Sequence, residues 1–175
     1  SGRTISHNLG STPGMVIIKK RDTDTNYVRW FVWHRSLASG KFLTLNTTNG
    51  ETDNDNDLIY DGVFDSAPDS SGIYLQNQVN QNQYSYFAYF FAHNNNDGGF
   101  GPDSDKDIIK CGTFNRSTSG TTTVNLGFEP QWLLLKRKSG SGNWFILDDM
   151  RGIPFGDDNS ESMATWVHPD SSNSE

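Results

Sequence analysis

Cysteine is almost absent: Cys111 is the only one in 175 residues. No disulfide can form within the chain, and cysteine usage says nothing about redox compartment. Alanine and glutamate, two of the strongest helix formers, number only 5 and 4, which leaves little from which to build α-helices. No apolar run reaches the ~18 residues of a membrane-spanning helix, and no charged-then-apolar leader opens the chain. It begins Ser1-Gly2, which reads as a protease scar or a fragment boundary. Basic charge is scarce too. Fourteen Lys and Arg against 21 Asp and Glu leave a net charge of −7, so electrostatic attachment to nucleic acid or to an anionic membrane is not expected.

Small polar residues and aromatics fill the space. Asn, Asp, Gly, Ser and Thr make up 84 of 175 residues, yet there are 5 Trp, 6 Tyr and 11 Phe, far too many aromatics for a disordered chain. Apolar residues come in short runs bounded by turn formers, the pattern of strands. Candidate strands are residues 15–20, 28–34, 41–46, 72–76, 84–92, 107–114, 132–138 and 143–148. The run 84–92 is apolar on both faces, with Tyr84, Tyr86, Ala88 and Phe90 against Phe87, Tyr89 and Phe91; that pattern predicts a central strand covered on both sides. In 41–46, Leu43 and Leu45 alternate with Thr44 and Asn46, which predicts one solvated face. Long polar connections, 51–57, 76–83, 94–107 and 157–162, hold most of the Asn, Asp and Gln. Such loops are where a β scaffold presents binding residues.

The chain repeats itself. Asn8-Leu9-Gly10 leads through Pro13 to Met15, the aliphatics Val16, Ile17 and Ile18, and the bases Lys19, Lys20 and Arg21. At an offset of 117, Asn125-Leu126-Gly127 leads through Pro130 to Trp132, then Leu133, Leu134 and Leu135, then Lys136, Arg137 and Lys138. Trp30-Phe31-Val32 then matches Trp144-Phe145-Ile146, the second turn being three residues shorter. Each copy reads as a turn feeding a β-hairpin: the glycines permit positive φ, and the prolines stand just ahead of the strand ladder. The expected organisation is a first unit over 1–110 and a partial second unit over 111–175, sharing one core.

Signals for chemistry are sparse. His7, His34, His93 and His168 show no metal-ligand spacing. Asp148 and Asp149 are adjacent, which in a strand points them to opposite faces rather than into a glycosidase pair. Asp53, Asp55 and Asp57 are spaced like the first half of an EF-hand loop, but Leu58 replaces the required Gly and Phe64 the terminal Glu. A looser calcium site of oxygen ligands there, or at Asp103, Asp105 and Asp107, is the only cofactor the sequence suggests. Trp33, Tyr60, Trp166 and Tyr27 are the candidates for stacking on a sugar, Trp33 being opposite in phase to Trp30.

Taken in order, Ile5–Gly10, Pro13–Lys19, Trp30–Leu37, Phe42–Thr48, Ala67–Ser71, Tyr86–Asn94, Ile108–Gly112, Asn125–Lys136 and Asp149–Ile153 resemble the repeated β domains of large virion proteins of marine tailed bacteriophages. Those domains are described as lectin-like, similar to concanavalin-type or SPRY sandwiches. The resemblance covers nearly the whole chain. It implies an all-β, antiparallel, jelly-roll or concanavalin-like sandwich located in the virion, as a tail, fibre or surface module. It brings no catalytic residues with it. Its implied partners are other virion subunits, further copies of the same chain, and host surface carbohydrate, with neither nucleic acid nor membrane insertion. Three functions follow: a non-enzymatic glycan-binding adhesin, a purely architectural virion protein, or a glycan depolymerase. The adhesin is the leading expectation.

Overall fold

The computed structural model describes residues 2–22, 29–53, 63–94, 102–103, 107–151 and 166–172. Among them there is no α-helix. Ten strands are present: β1 (Arg3–Ser6), β2 (Met15–Lys20), β3 (Trp30–His34), β4 (Lys41–Thr44), β5 (Thr52–Asp53), β6 (Phe64–Ser66), β7 (Gly72–Leu75), β8 (Tyr86–Phe91), β9 (Trp132–Lys136) and β10 (Trp144–Asp148), with one 3-10 turn at Asn77–Val79. All pairings between the strands are antiparallel. The fold is the expected all-β antiparallel sandwich.

A five-stranded sheet, ordered β5-β4-β3-β2-β8, lies in the middle. Its strand β2 is the run of aliphatics from the first repeat, and the alternation of side chains sends them to two different cores. Val16 and Ile18 join Phe31 and Phe42 on one face, where they meet Val63, Phe64, Ile73, Leu75 and Val79. These last belong to or flank a three-stranded sheet, β1-β7-β6. Met15 and Ile17 join Val32 and Leu43 on the other face, where they meet Trp144 and Leu134 of the hairpin β9–β10. The second copy of the repeat therefore packs across the first.

The repeated turns behave alike. Gly10 and Gly127 adopt φ of +72° and +83°, the left-handed region where a side chain is unfavourable. In the second copy the Gly127 amide donates to Asn125 Oδ1 at 2.9 Å, an Asx turn. The 67–71 segment is organised by Asp69. Its Oδ1 accepts from the amides of Ser71 (2.7 Å) and Gly72 (3.0 Å) and from the Ser71 hydroxyl (2.6 Å), while Tyr74 donates to Oδ2 at 2.8 Å. These donors, the Ser71 hydroxyl foremost, hold the carboxyl far below the usual carboxylate range.

Three expectations are corrected. The aromatic run is not central: β8 is the edge strand of the five-stranded sheet, and Phe87 and Tyr89 stand 51% and 47% exposed. Strand β4 has no solvated face, because Phe42 and Thr44 are buried against the three-stranded sheet side while Leu43 is buried toward the hairpin. Residues 107–114 form no strand. Their backbone is tied instead to the chain beyond β8, with Asn94 N donating to Ile109 O at 2.9 Å and Cys111 N to His93 Nδ1 at 3.1 Å. Strands β1, β5 and β6 fall outside the candidate runs.

Candidate functional site

Among the described residues, Phe87 and Tyr89 of β8 form the most exposed pair of aromatic side chains on one strand. Register fixes their neighbours. Lys19 stands between Trp30 of β3 and Phe87 of β8, and Ile17 between Val32 and Tyr89. These residues share the face that the hairpin covers. Cover is complete over Ile17 and Val32, partial over Phe91 and Trp30, and thinnest at Phe87 and Tyr89, on the sheet margin. The Lys19 ammonium lies 5.8 Å from the Trp30 ring centroid, a cation–π distance.

The sugar-stacking candidates are dispersed. Trp33 points to the opposite face from Trp30 and packs against the core shared with the three-stranded sheet. Trp166 is 39% exposed and sits outside the hairpin, edge-on to Phe145 (6.0 Å) and near His168 (6.3 Å). It is placed there by Val167, which exchanges backbone hydrogen bonds with Ile146 (2.9 and 3.0 Å). His168 Nδ1 donates to the Trp144 carbonyl at 2.7 Å. Tyr27 and Tyr60 lie outside the described residues. Of the calcium candidates, Asp53 pairs with Lys41 across the β4–β5 ladder, and Asp55 and Asp57 lie outside the described residues, as does Asp105. Asp103 is exposed and Asp107 half-buried. Among the described residues no three His, Cys, Asp or Glu side chains are grouped to hold a metal ion.

A second cluster, not singled out by spacing, gathers His34, His93, Cys111 and Arg35 at one end of the central sheet. The His34 ring accepts from the Ser36 amide at 3.1 Å through Nδ1. Burial first, then the charges of Arg35, His93 and Lys138, hold its imidazole below the ordinary 6.5. Burial pushes the Cys111 thiol up to about 11, against the opposing pull of Arg35, and Sγ faces the Ala92 carbonyl at 3.7 Å. A thiol so protonated is a poor nucleophile. Asp148 is engaged with Arg151 at 2.7 Å.

His34 gives a testable pH dependence. Its folded pKa lies below the unfolded value, so the unfolded chain binds the extra proton first as pH falls. The stability it contributes is complete above about pH 6.5 and drains away below it. Thermal melts between about pH 7.5 and 5.5 should show a falling Tm in the native chain and a shallower fall in His34→Gln. Equal slopes would show that another group carries the dependence.

Fold and surface together define an all-β antiparallel sandwich with an aromatic edge strand. The chain matches a domain of unknown function, DUF7483, over residues 1–175, and belongs to that family. No curated protein and no solved structure matches it.

Proposed function

We propose that the chain is a non-enzymatic architectural module of a phage virion, acting through its β-surfaces. The observation that carries this reading is β8: six uncharged residues, five of them aromatic, at a sheet edge with Phe87 and Tyr89 half exposed. An apolar edge strand without charge is an invitation to pair, and natural proteins normally blunt such edges with charge or proline. The sequence resemblance to virion β domains supplies the setting. Particles purified from the phage that encodes the chain should contain it as a stoichiometric component by mass spectrometry. Its absence from the particle overturns the reading.

Recognition of host carbohydrate is the second reading, and Trp166 is the observation that favours it. A Trp exposed beside Phe145 and His168 offers an aromatic surface on which a sugar can stack. Saturable binding on a panel of bacterial and algal glycans, lost in Trp166→Ala and tested with and without chelator, would put this reading first. Silence from the folded protein would end it.

A further inference from the structure

We propose that β8 pairs through its open edge with β8 of a second copy of the chain, antiparallel about a two-fold axis at Ala88. The inference deepens the architectural reading above and rests on it. Three observations specify it.

The first is the direction of the backbone groups. Arg21 N donates to Ser85 O at 2.8 Å and Arg35 N to Gly14 O at 3.0 Å. With the β2–β8 and β2–β3 registers, these bonds set the phase of the ladder. Ser85, Phe87, Tyr89 and Phe91 turn their N–H and C=O toward β2, so Tyr86, Ala88 and Phe90 turn theirs outward. Among the described residues β2 is the only strand paired with β8. The outward row ends where Ile109 meets Asn94, and at its start Gln83 turns the chain with φ of +71°. The open stretch is one short strand long.

The second is self-complementarity, which a two-fold interface requires. Centring the axis on Ala88 opposes Ala88 to its own copy and Tyr86 to Phe90 as hydrogen-bonded pairs. Phe87 then falls directly opposite Tyr89 of the second copy, twice, in the non-hydrogen-bonded positions where side chains approach most closely. The two rings left half exposed in one chain are the two that this register brings together. The smallest side chain of the strand sits on the axis, where two large ones would crowd.

The third is charge. Two chains of net charge −7 repel over most of their surfaces, but Tyr86–Phe91 carries no ionised group. The result is a continuous ten-stranded sheet.

Sedimentation or light scattering of the purified chain should show a concentration-dependent dimer. Ala88→Pro is the discriminating variant. Ala88 donates nothing to β2, so proline there removes only an outward N–H, a position where edge strands accept it. It should weaken dimerisation at least tenfold and leave the melting curve of the monomer in place. Tyr89→Lys, at a half-exposed position, should do the same by placing two ammonium groups at the interface. Ala88→Cys should be joined into a dimer by a short thiol-to-thiol crosslinking reagent, because a hydrogen-bonded pair on the axis holds the two side chains about 5.5 Å apart; the native chain, with only Cys111, sets the baseline. A monomer up to ~1 mM, or a dimer indifferent to Ala88→Pro and Tyr89→Lys, overturns the inference. A monomer that is nonetheless present in virions overturns only the β8 pairing, whereas absence from virions overturns the architectural reading itself.

Discussion

Trp144→Ala should release the β9–β10 hairpin from the central sheet. Trp144 is 3% exposed and belongs to the same cluster as Met15, Ile17, Val32 and Leu43. Its indole Nε1 donates to the Thr44 carbonyl at 2.9 Å, so one side chain supplies both apolar cover and a buried hydrogen bond. Truncating a buried Trp costs about 3–5 kcal/mol. That is a large share of the ~5–15 kcal/mol that holds a domain together. The loss should be regional rather than global. The sandwich formed by the three- and five-stranded sheets has its own core, made of Val16, Ile18, Phe31, Ile73 and Leu75 among others, in which Trp144 takes no part. Hydrogen exchange should therefore show protection lost over 132–148 and retained over β2, β3 and β7. Uniform loss across all strands would show that hairpin and sandwich unfold as one unit. Trp144→Phe keeps a ring and strands the Thr44 carbonyl, and should cost about 1–3 kcal/mol.

Gly50→Ala should have a comparable effect by a different route. A Cβ at residue 50 would lie 2.6 Å from Gly140 O and 2.8 Å from both Gly140 N and Lys138 O. All three are backbone atoms, so no rotamer change can make room. The same approach carries the hydrogen bonds that seat the hairpin turn: Glu51 N to Lys138 O and Gly142 N to Thr48 O, both 2.8 Å, and Lys136 Nζ to Thr48 O at 2.9 Å. Adding one methyl group should cost about 2–4 kcal/mol through steric displacement and lost bonds. Because both substitutions detach one element, the double variant should be scarcely worse than the more severe single one. Full additivity in denaturant titrations would mean that the two act on separate structures.

Particular residues show what could be read in advance. The repeat was legible because its signals are local: a glycine that must adopt positive φ, a proline ahead of the strand, an aliphatic triplet and a returning Trp. Strands β2, β3, β9 and β10 followed from these. The place of β8 in its sheet was not legible. Apolar side chains on both faces describe a central strand and an edge awaiting a partner equally well, and only pairing separates them. Strands β1 and β6, Arg-Thr-Ile-Ser and Phe-Asp-Ser, carry too few apolar residues to announce themselves. They exist because β7 offers each a ladder. Ile108 and Ile109 suggested a strand, but the side chains of Asn94 and His93 bind that backbone before a ladder can form. For the candidate site, phase predicted that Trp30 and Trp33 would part company, yet not which core each would enter.

The order of the layers along the chain has a consequence for synthesis. Strand β2 cannot complete its ladder until β8, some seventy residues later in the sequence, has left the ribosome, and contacts so distant slow folding. Met15, Ile17, Val32 and Leu43 wait longer still, because their cover, Trp144, comes more than fifty residues after β8. A nascent chain halted between these two points carries a finished sandwich with one oily flank bare. At that stage of translation a holding chaperone, rather than a folding catalyst, is the assistance the growing polypeptide calls for.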